Sequence, residues 1–399
     1  MAIRVGNIAS GDDFFDRVGE LADLWRYLEG NHVSLTGPRR LGKSSLLKRL
    51  GEQAEEKGVF AQMIDVEGLD TAAAFIAAIN AAYPDECLAR HMREAASKVG
   101  NLFMVFKKVD LKLPGGLGAG IELQALPQAL WVAEAKQLEA RLSAMPVLLL
   151  IDEFSVFLEK LIQRDKGEAE QLLGWLRRWR MTETACRFVF SGSIGINSLL
   201  GRHQMSTWLN DCYEFELGPF RPGPAREMLS ALAQREAWVL AEPEASYLCD
   251  KAGWLSPFYL NLLLDEAMKA GRDRLLELGE EQPQVLLAGD IDDGYDRLLA
   301  SRSRFIHWYK RLQRDLLEPQ LSMALNLLRH TANASQALSR KQLMARLAKL
   351  EVDPDRRAER LSECLAYLQE NGYLGQVEAV KVSFLSFLLR DYWRRNHAD

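Results

Sequence analysis

An α/β fold built on a parallel sheet is predicted by three observations. Five short apolar segments, VSLT (33–36), FAQMIDVE (60–67), PVLLLIDEF (146–154), RFVFSGS (187–193) and YEFEL (213–217), alternate with stretches of helical periodicity. Several are near-continuous apolar runs, as expected of strands covered on both faces, and such strands belong to parallel sheets. The first segment leads directly into a glycine-containing loop and then a helix.

The elements follow in order. FFDRVGELADLWRYL (14–28) has apolar residues at helical spacing and is ended by Gly30 and Asn31. After VSLT and the loop, Leu46, Leu47 and Leu50 continue a helix with charges between them. About 80 residues separate the second segment from the third; an insertion at 96–130, with a hairpin around Gly115, Gly116 and Gly118, is expected there. GWLRRWRM (174–181) reads as an amphipathic helix, with Trp175 and Trp179 inward and Arg177, Arg178 and Arg180 in water. After Phe220 the pattern becomes helical: AREMLSALAQREA, PEASYLCDKAG and PFYLNLLLDEAMKAG. From about Pro319, three helical patterns precede a two-stranded hairpin, QVEAVKVSFL, which is the order of a winged helix. The expected organisation is a core at 1–220, a helical lid and connector at 221–316 and a winged-helix domain at 317–399.

Composition narrows the classes. With 399 residues, 48% hydrophobic and 26% charged, the chain is an ordinary folded protein of two or three domains, not a disordered, collagen-like or disulfide-scaffold one. No apolar run reaches membrane-spanning length and the first residues lack a secretory stretch, so a cytoplasmic address without membrane contact is expected. Five scattered cysteines predict buried free thiols. The six histidines form no metal motif, leaving magnesium as the expected metal. The net charge of −5 is uneven: residues 301–399 carry 17 Lys/Arg against 11 Asp/Glu.

Chemistry concentrates in Gly37-Pro38-Arg39-Arg40-Leu41-Gly42-Lys43-Ser44, a full GxxxxGK[ST] match between a strand and a helix. Backbone N–H groups of such a loop cradle α and β phosphates, Lys43 neutralises β and γ oxygens, and the Ser44 hydroxyl ligates magnesium. Ser45 extends the site. Arg39 and Arg40 could touch phosphate or partner carboxylates, or be solvated. The 147–151 strand ends in Asp152-Glu153, where Asp152 would hold magnesium and Glu153 would polarise the attacking water. Ser191 and Ser193 either place a hydroxyl near the γ phosphate or form a tight turn. Arg202 is a candidate phosphate contact, on its own or a neighbouring subunit, or a surface arginine.

GPRRLGKSSLL, LLLIDEF, FSGS followed by LLGR, and GWLSPFYLNLL occur in an order that resembles the archaeal-type ATPases of the AAA+/STAND group, relatives of the origin-recognition ATPases. The resemblance runs from about Phe14 to the carboxyl end. It implies an ATP-binding core, a helical lid and a winged helix, with ATP or ADP and Mg2+ controlling assembly or partner contact. It would make Lys43 and Ser44 the phosphate and magnesium ligands, Asp152 and Glu153 the acidic pair, Ser191 or Ser193 a polar sensor, and Pro257 a lid residue approaching the nucleotide. The chain departs from the family pattern at Gly253 and Pro257, four apart where many members have Gly-x-Pro, and at Asp16-Arg17-Val18, where Gly-Arg-Glu is usual.

Three readings follow. In the first, a slow ATPase switch binds double-stranded DNA through Arg340, Lys341, Arg346, Lys349, Arg356, Arg357 and Arg360, although Glu351, Asp353, Asp355, Glu359 and Glu363 are mixed among them. In the second, the winged helix docks on the core or a partner protein, and nucleotide state selects the arrangement. In the third, a nucleotide-dependent homo-oligomer works as a motor with Arg202 acting in trans.

Overall fold

The structure, a computed structural model, describes residues 8–90, 128–182, 184–192, 195–279, 283–377 and 380–397. The chain divides into two compact units, Ile8–Gly37 with Gly42–Leu217, and Pro38–Leu41 with Gly218–Asp399.

The first unit is built on the five predicted strands: β1 (His32–Thr36), β2 (Phe60–Asp65), β3 (Val147–Asp152), β4 (Arg187–Ser191) and β5 (Cys212–Glu216). They form one sheet in the order β2-β3-β4-β1-β5, every pairing parallel. All six residues of β3 are buried, which is why its apolar run is unbroken. Register aligns Leu35 with Ser191 and Ile151 with Phe190, so β1, β3 and β4 finish together along one edge. That edge is where α/β sheets present ligand sites, because each strand there turns into a helix.

The helices of this unit are α1 (Val18–Leu28), α2 (Lys43–Glu56), α3 (Ala72–Ala82), α4 (Gln128–Leu142), α5 (Phe154–Arg164), α6 (Lys166–Met181) and α7 (Ile196–Arg202). Their inward stripes fill a core in which Phe75 stacks on Phe157 and Trp179 meets Phe188 edge-on. The hairpin expected around Gly115, Gly116 and Gly118 lies outside the described residues, and Gln128 already begins α4.

Two expectations are corrected. The first helix starts at Val18, not Phe14, because Asp16 and Arg17 have φ values of 55° and 68° that no right-handed helix admits. On α6, Trp175 and Trp179 point inward as expected, but Arg180 does too: its guanidinium is fully buried and grips Asp211 at 2.6 and 2.9 Å. Of the cysteines, Cys186, Cys249 and Cys364 are buried, while Cys87 and Cys212 are half-buried; all five are free thiols.

The second unit begins with α8 (Pro222–Arg235), α9 (Glu242–Ala252), α10 (Pro257–Leu278), α11 (Ala288–Ala300) and α12 (Arg302–Asp315). Asp290, buried in the first turn of α11, accepts two bonds from Arg274 and one from the Leu287 N–H, so a buried charge is fully used. There follow α13 (Gln320–Ala332), β6 (Leu338–Ser339), α14 (Arg340–Arg346), α15 (Pro354–Glu370), β7 (Leu374–Val377), β8 (Lys381–Phe384) and α16 (Phe387–Asn396). β6, β8 and β7 form a three-stranded antiparallel sheet in that order. The hairpin and the three helices match the predicted order; β6 and α16 are additions. Tyr373 donates to the Trp308 carbonyl at 2.8 Å and packs edge-on against its ring, tying α12 to the start of β7. No described helix is long and apolar enough to cross a membrane.

Candidate functional site

The phosphate loop is shaped by residues that L side chains rarely permit. Gly37 has φ +125°, and a β carbon there would stand 2.5 Å from the Leu217 carbonyl oxygen, so only glycine fits. Gly42, at φ +89°, caps α2, and space above it is open. The first turn of α2 contains no acidic side chain, so no carboxylate of the helix itself competes with an anion at its positive end. Lys43, the first helical residue, is largely buried, and its ammonium donates to the Gly37 carbonyl at 2.5 Å, which holds it across the loop. The Ser45 hydroxyl accepts the Ala9 N–H at 2.9 Å and so secures the amino-terminal segment.

Asp152 closes β3 and is buried. Burial raises its pKa above the ordinary carboxylate value; the Ser44 hydroxyl opposes that shift, Glu153 adds to it, and Ser191 opposes it again. The carboxylate thus lies among the hydroxyls of Ser44 and Ser191, brought there from α2 and β4. Ser191 is completely buried and its Oγ makes no hydrogen bond of ordinary geometry. A carboxylate and two hydroxyls form an all-oxygen set that fits a hard cation such as Mg2+. Gly192 follows of necessity, since a β carbon there would meet the Ser155 hydroxyl at 2.1 Å.

Glu153 adopts φ 55°, ψ 28°, a left-handed conformation unusual for a residue with a β carbon, and stands at the N-terminus of α5. Its N–H donates to Asp152 Oδ1 at 3.1 Å, and its side chain is partly exposed. Strain of this kind persists where the surroundings over-determine a conformation, commonly at functional sites.

The structure therefore gathers Lys43, Ser44, Asp152, Glu153 and Ser191 at the ends of β1, β3 and β4. Ser193 lies outside the described residues. Arg202 ends α7 with a half-exposed side chain 3.9 Å from Glu159. Pro257 opens α10 in the second unit. Beside it stand two residues to which the sequence assigned no role: Ser256 and Phe258, which contact Arg40 within that unit. Their segment, GWLSPFYL, was visible in the sequence, but nothing in it names Arg40 as its partner.

Comparison with known proteins agrees with this geometry. Residues 28–200 match a family model described as an AAA domain. No curated protein matches the chain. Among solved structures, the Walker-type ATPase PABY2304 of Pyrococcus abyssi is similar over 99% of this chain and 100% of its own, at 16% identity and a TM-score of 0.64. The Aeropyrum pernix ORC2 protein (12% identity, 98% of each chain, TM-score 0.43) and the Thermotoga maritima RuvB Holliday junction branch migration motor (15%, 94% of each, 0.44) are more distant. The first likeness is one of fold and the other two carry no further weight. Residues 28–200 are thus similar to an AAA domain, and the chain has the α/β fold of the P-loop ATPases.

Proposed function

We propose that the chain is an ATP-hydrolysing switch whose nucleotide state governs contact between its C-terminal segment and a partner. The observation that carries this is the convergence of the Ser44 hydroxyl and the Asp152 carboxylate beside a helix N-terminus left free of acidic side chains. Amide groups from Gly37 to Ser44 would hold the phosphates, with Lys43 turned from the Gly37 carbonyl to the β and γ oxygens. Bound Mg2+ would draw charge from those oxygens, held by Ser44 and Asp152. Glu153 would take the proton of the attacking water, and Ser191 would orient the γ phosphate. Arg202 would contact a phosphate on its own or a neighbouring subunit. The attached organisation is a core at 1–220, a lid and connector at 221–316 and a winged helix at 317–399, read from the order α13, β6, α14, α15 and the β7–β8 hairpin.

For the partner, one observation favours protein over DNA. Arg340 donates to the Ala358 carbonyl and the Ser362 hydroxyl, Arg346 to His330 O and Arg357 to Met344 O, and Arg360 is paired with Glu351. Four of the seven cations available for phosphate contact are thereby engaged internally; Lys341, Lys349 and Arg356 are exposed. A protein partner, or the core itself, suits such a surface better than a duplex whose binding depends on free cationic side chains.

The test measures MgATP binding, turnover and particle mass with and without duplex DNA. Lys43→Ala is expected to weaken MgATP about a hundredfold through loss of a charged hydrogen-bond donor. Glu153→Gln is expected to bind MgATP normally and turn over about 10²–10⁴-fold more slowly. Equal binding by the Lys43→Ala variant would overturn the site. Tight duplex binding that falls steeply with salt would replace the protein partner with DNA.

A further inference from the structure

The tip of the phosphate loop, Pro38–Leu41, packs within the C-terminal unit. Arg40 stands there at φ +72°, in the left-handed region that a β carbon disfavours. Its carbonyl accepts a 2.6 Å hydrogen bond from the hydroxyl of Ser256, a fully buried side chain. Its guanidinium lies over the Phe258 ring, 4.2 Å from the centroid. Burial draws the Arg40 pKa below its ordinary value, Tyr259 opposes this and Arg311 adds to it, so the cation–π contact is partly desolvated and stronger for it. Next to it, Pro38 sits over Gly372, where a β carbon would come within 3.0 Å of the proline Cβ. The side chain that the sequence offered to phosphate is thus committed to a ring, and the backbone that Arg40 disfavours is clamped from both sides.

We infer that Arg40 is a positioning residue of the phosphate loop, held in its left-handed conformation by Ser256 and Phe258, which are thereby determinants of nucleotide affinity. This rests on reading Gly37–Ser44 as the MgATP site. Loss of either clamp lets Arg40 relax toward right-handed backbone, turning the amide groups of the loop away from the positions a phosphate requires. A glycine at the same position adopts positive φ without help, so it should make the clamp superfluous.

The experiment is a double-mutant cycle on the full chain, reading MgATP affinity by calorimetry and turnover at saturating MgATP. Phe258→Leu and Ser256→Ala are each expected to weaken MgATP about fivefold, equivalent to about 1 kcal/mol, with saturated turnover within about twofold of the parent. Phe258→Tyr, which keeps a ring face, should restore affinity. In the Arg40→Gly background, Phe258→Leu should change affinity by less than about twofold. Should Phe258→Leu compromise folding, the cycle with Ser256→Ala reads the same coupling. Equal losses in both backgrounds, or no loss in either single variant, would overturn the inference. If Lys43→Ala abolishes binding while Phe258→Leu leaves it unchanged, only this inference fails; if Lys43→Ala has no effect, the MgATP site itself fails.

Discussion

Arg180 shows how little a residue's type reveals about its environment. Within GWLRRWRM it is one arginine among three, and a solvated face is the natural expectation. In the fold it is buried, donates to both oxygens of Asp211 and to the Trp208 carbonyl, and lies 5.5 Å from the Phe190 ring centroid. Asp211 responds: burial works against its charge, yet the Arg180 hydrogen bond and charge hold its carboxyl below the ordinary value. Removing one partner of a buried pair strands the other, so Arg180→Ala is expected to destabilise the first unit by about 3–5 kcal/mol. Urea denaturation reads this directly, and a shift under about 1 kcal/mol would place the pair among the weak exposed ones. The phosphate loop is the opposite case. Gly37, Gly42, Lys43 and Ser44 were legible because their spacing is local and each type has a steric or chemical reason.

At the level of elements, the five strands were legible from unbroken apolar runs, and the structure returns all five in one parallel sheet. The helices of the second unit were legible as helices but not as partners. What decides the closeness of α10 and α11 is Gly294, where a β carbon would fall 2.6 Å from the Ala267 backbone nitrogen. Gly294→Ala should therefore force the two helices apart and cost about 1–3 kcal/mol. Gly289, on the same helix with nothing within 4 Å of its missing side chain, provides the contrast. Gly289→Ala should be neutral or stabilise by up to about 1 kcal/mol, since alanine restricts the unfolded chain. Thermal unfolding of the two variants side by side separates crowding from helix propensity.

For the whole molecule, pH exposes a coupling hidden in the sequence. His32 begins β1 and is buried; its Nδ1 accepts the Phe188 N–H at 3.2 Å and its Nε2 lies 3.2 Å from the Arg180 carbonyl. An imidazole that accepts at Nδ1 and donates at Nε2 is neutral, and a second proton would confront the Phe188 N–H. Burial, with the nearby Arg180 and Arg187 charges, lowers its pKa to about 3. In the unfolded chain a histidine titrates near about 6.5, so below that value the unfolded state takes up a proton that the folded state refuses. The His32 contribution is thus complete above about pH 6.5 and declines as pH falls, at up to about 1.4 kcal/mol per pH unit, until about pH 3. Urea midpoints measured between about pH 7 and pH 4 should fall for the parent and fall less for His32→Gln. Identical slopes would remove His32 from the account.

By itself the sequence determined the α/β class, the five strands, the phosphate loop and the two acids at the end of the third strand. Each depends on local periodicity or on glycine, lysine and serine at fixed spacing along one stretch of chain. Only the tertiary structure decided that Asp152 lies among the hydroxyls of Ser44 and Ser191, that Arg180 is paired and dry, and that Arg40 leans on Phe258. Those pairings join residues from about 30 to more than 200 positions apart. Which of many chemically suitable partners is met depends on strand order and helix packing, and no local pattern encodes it.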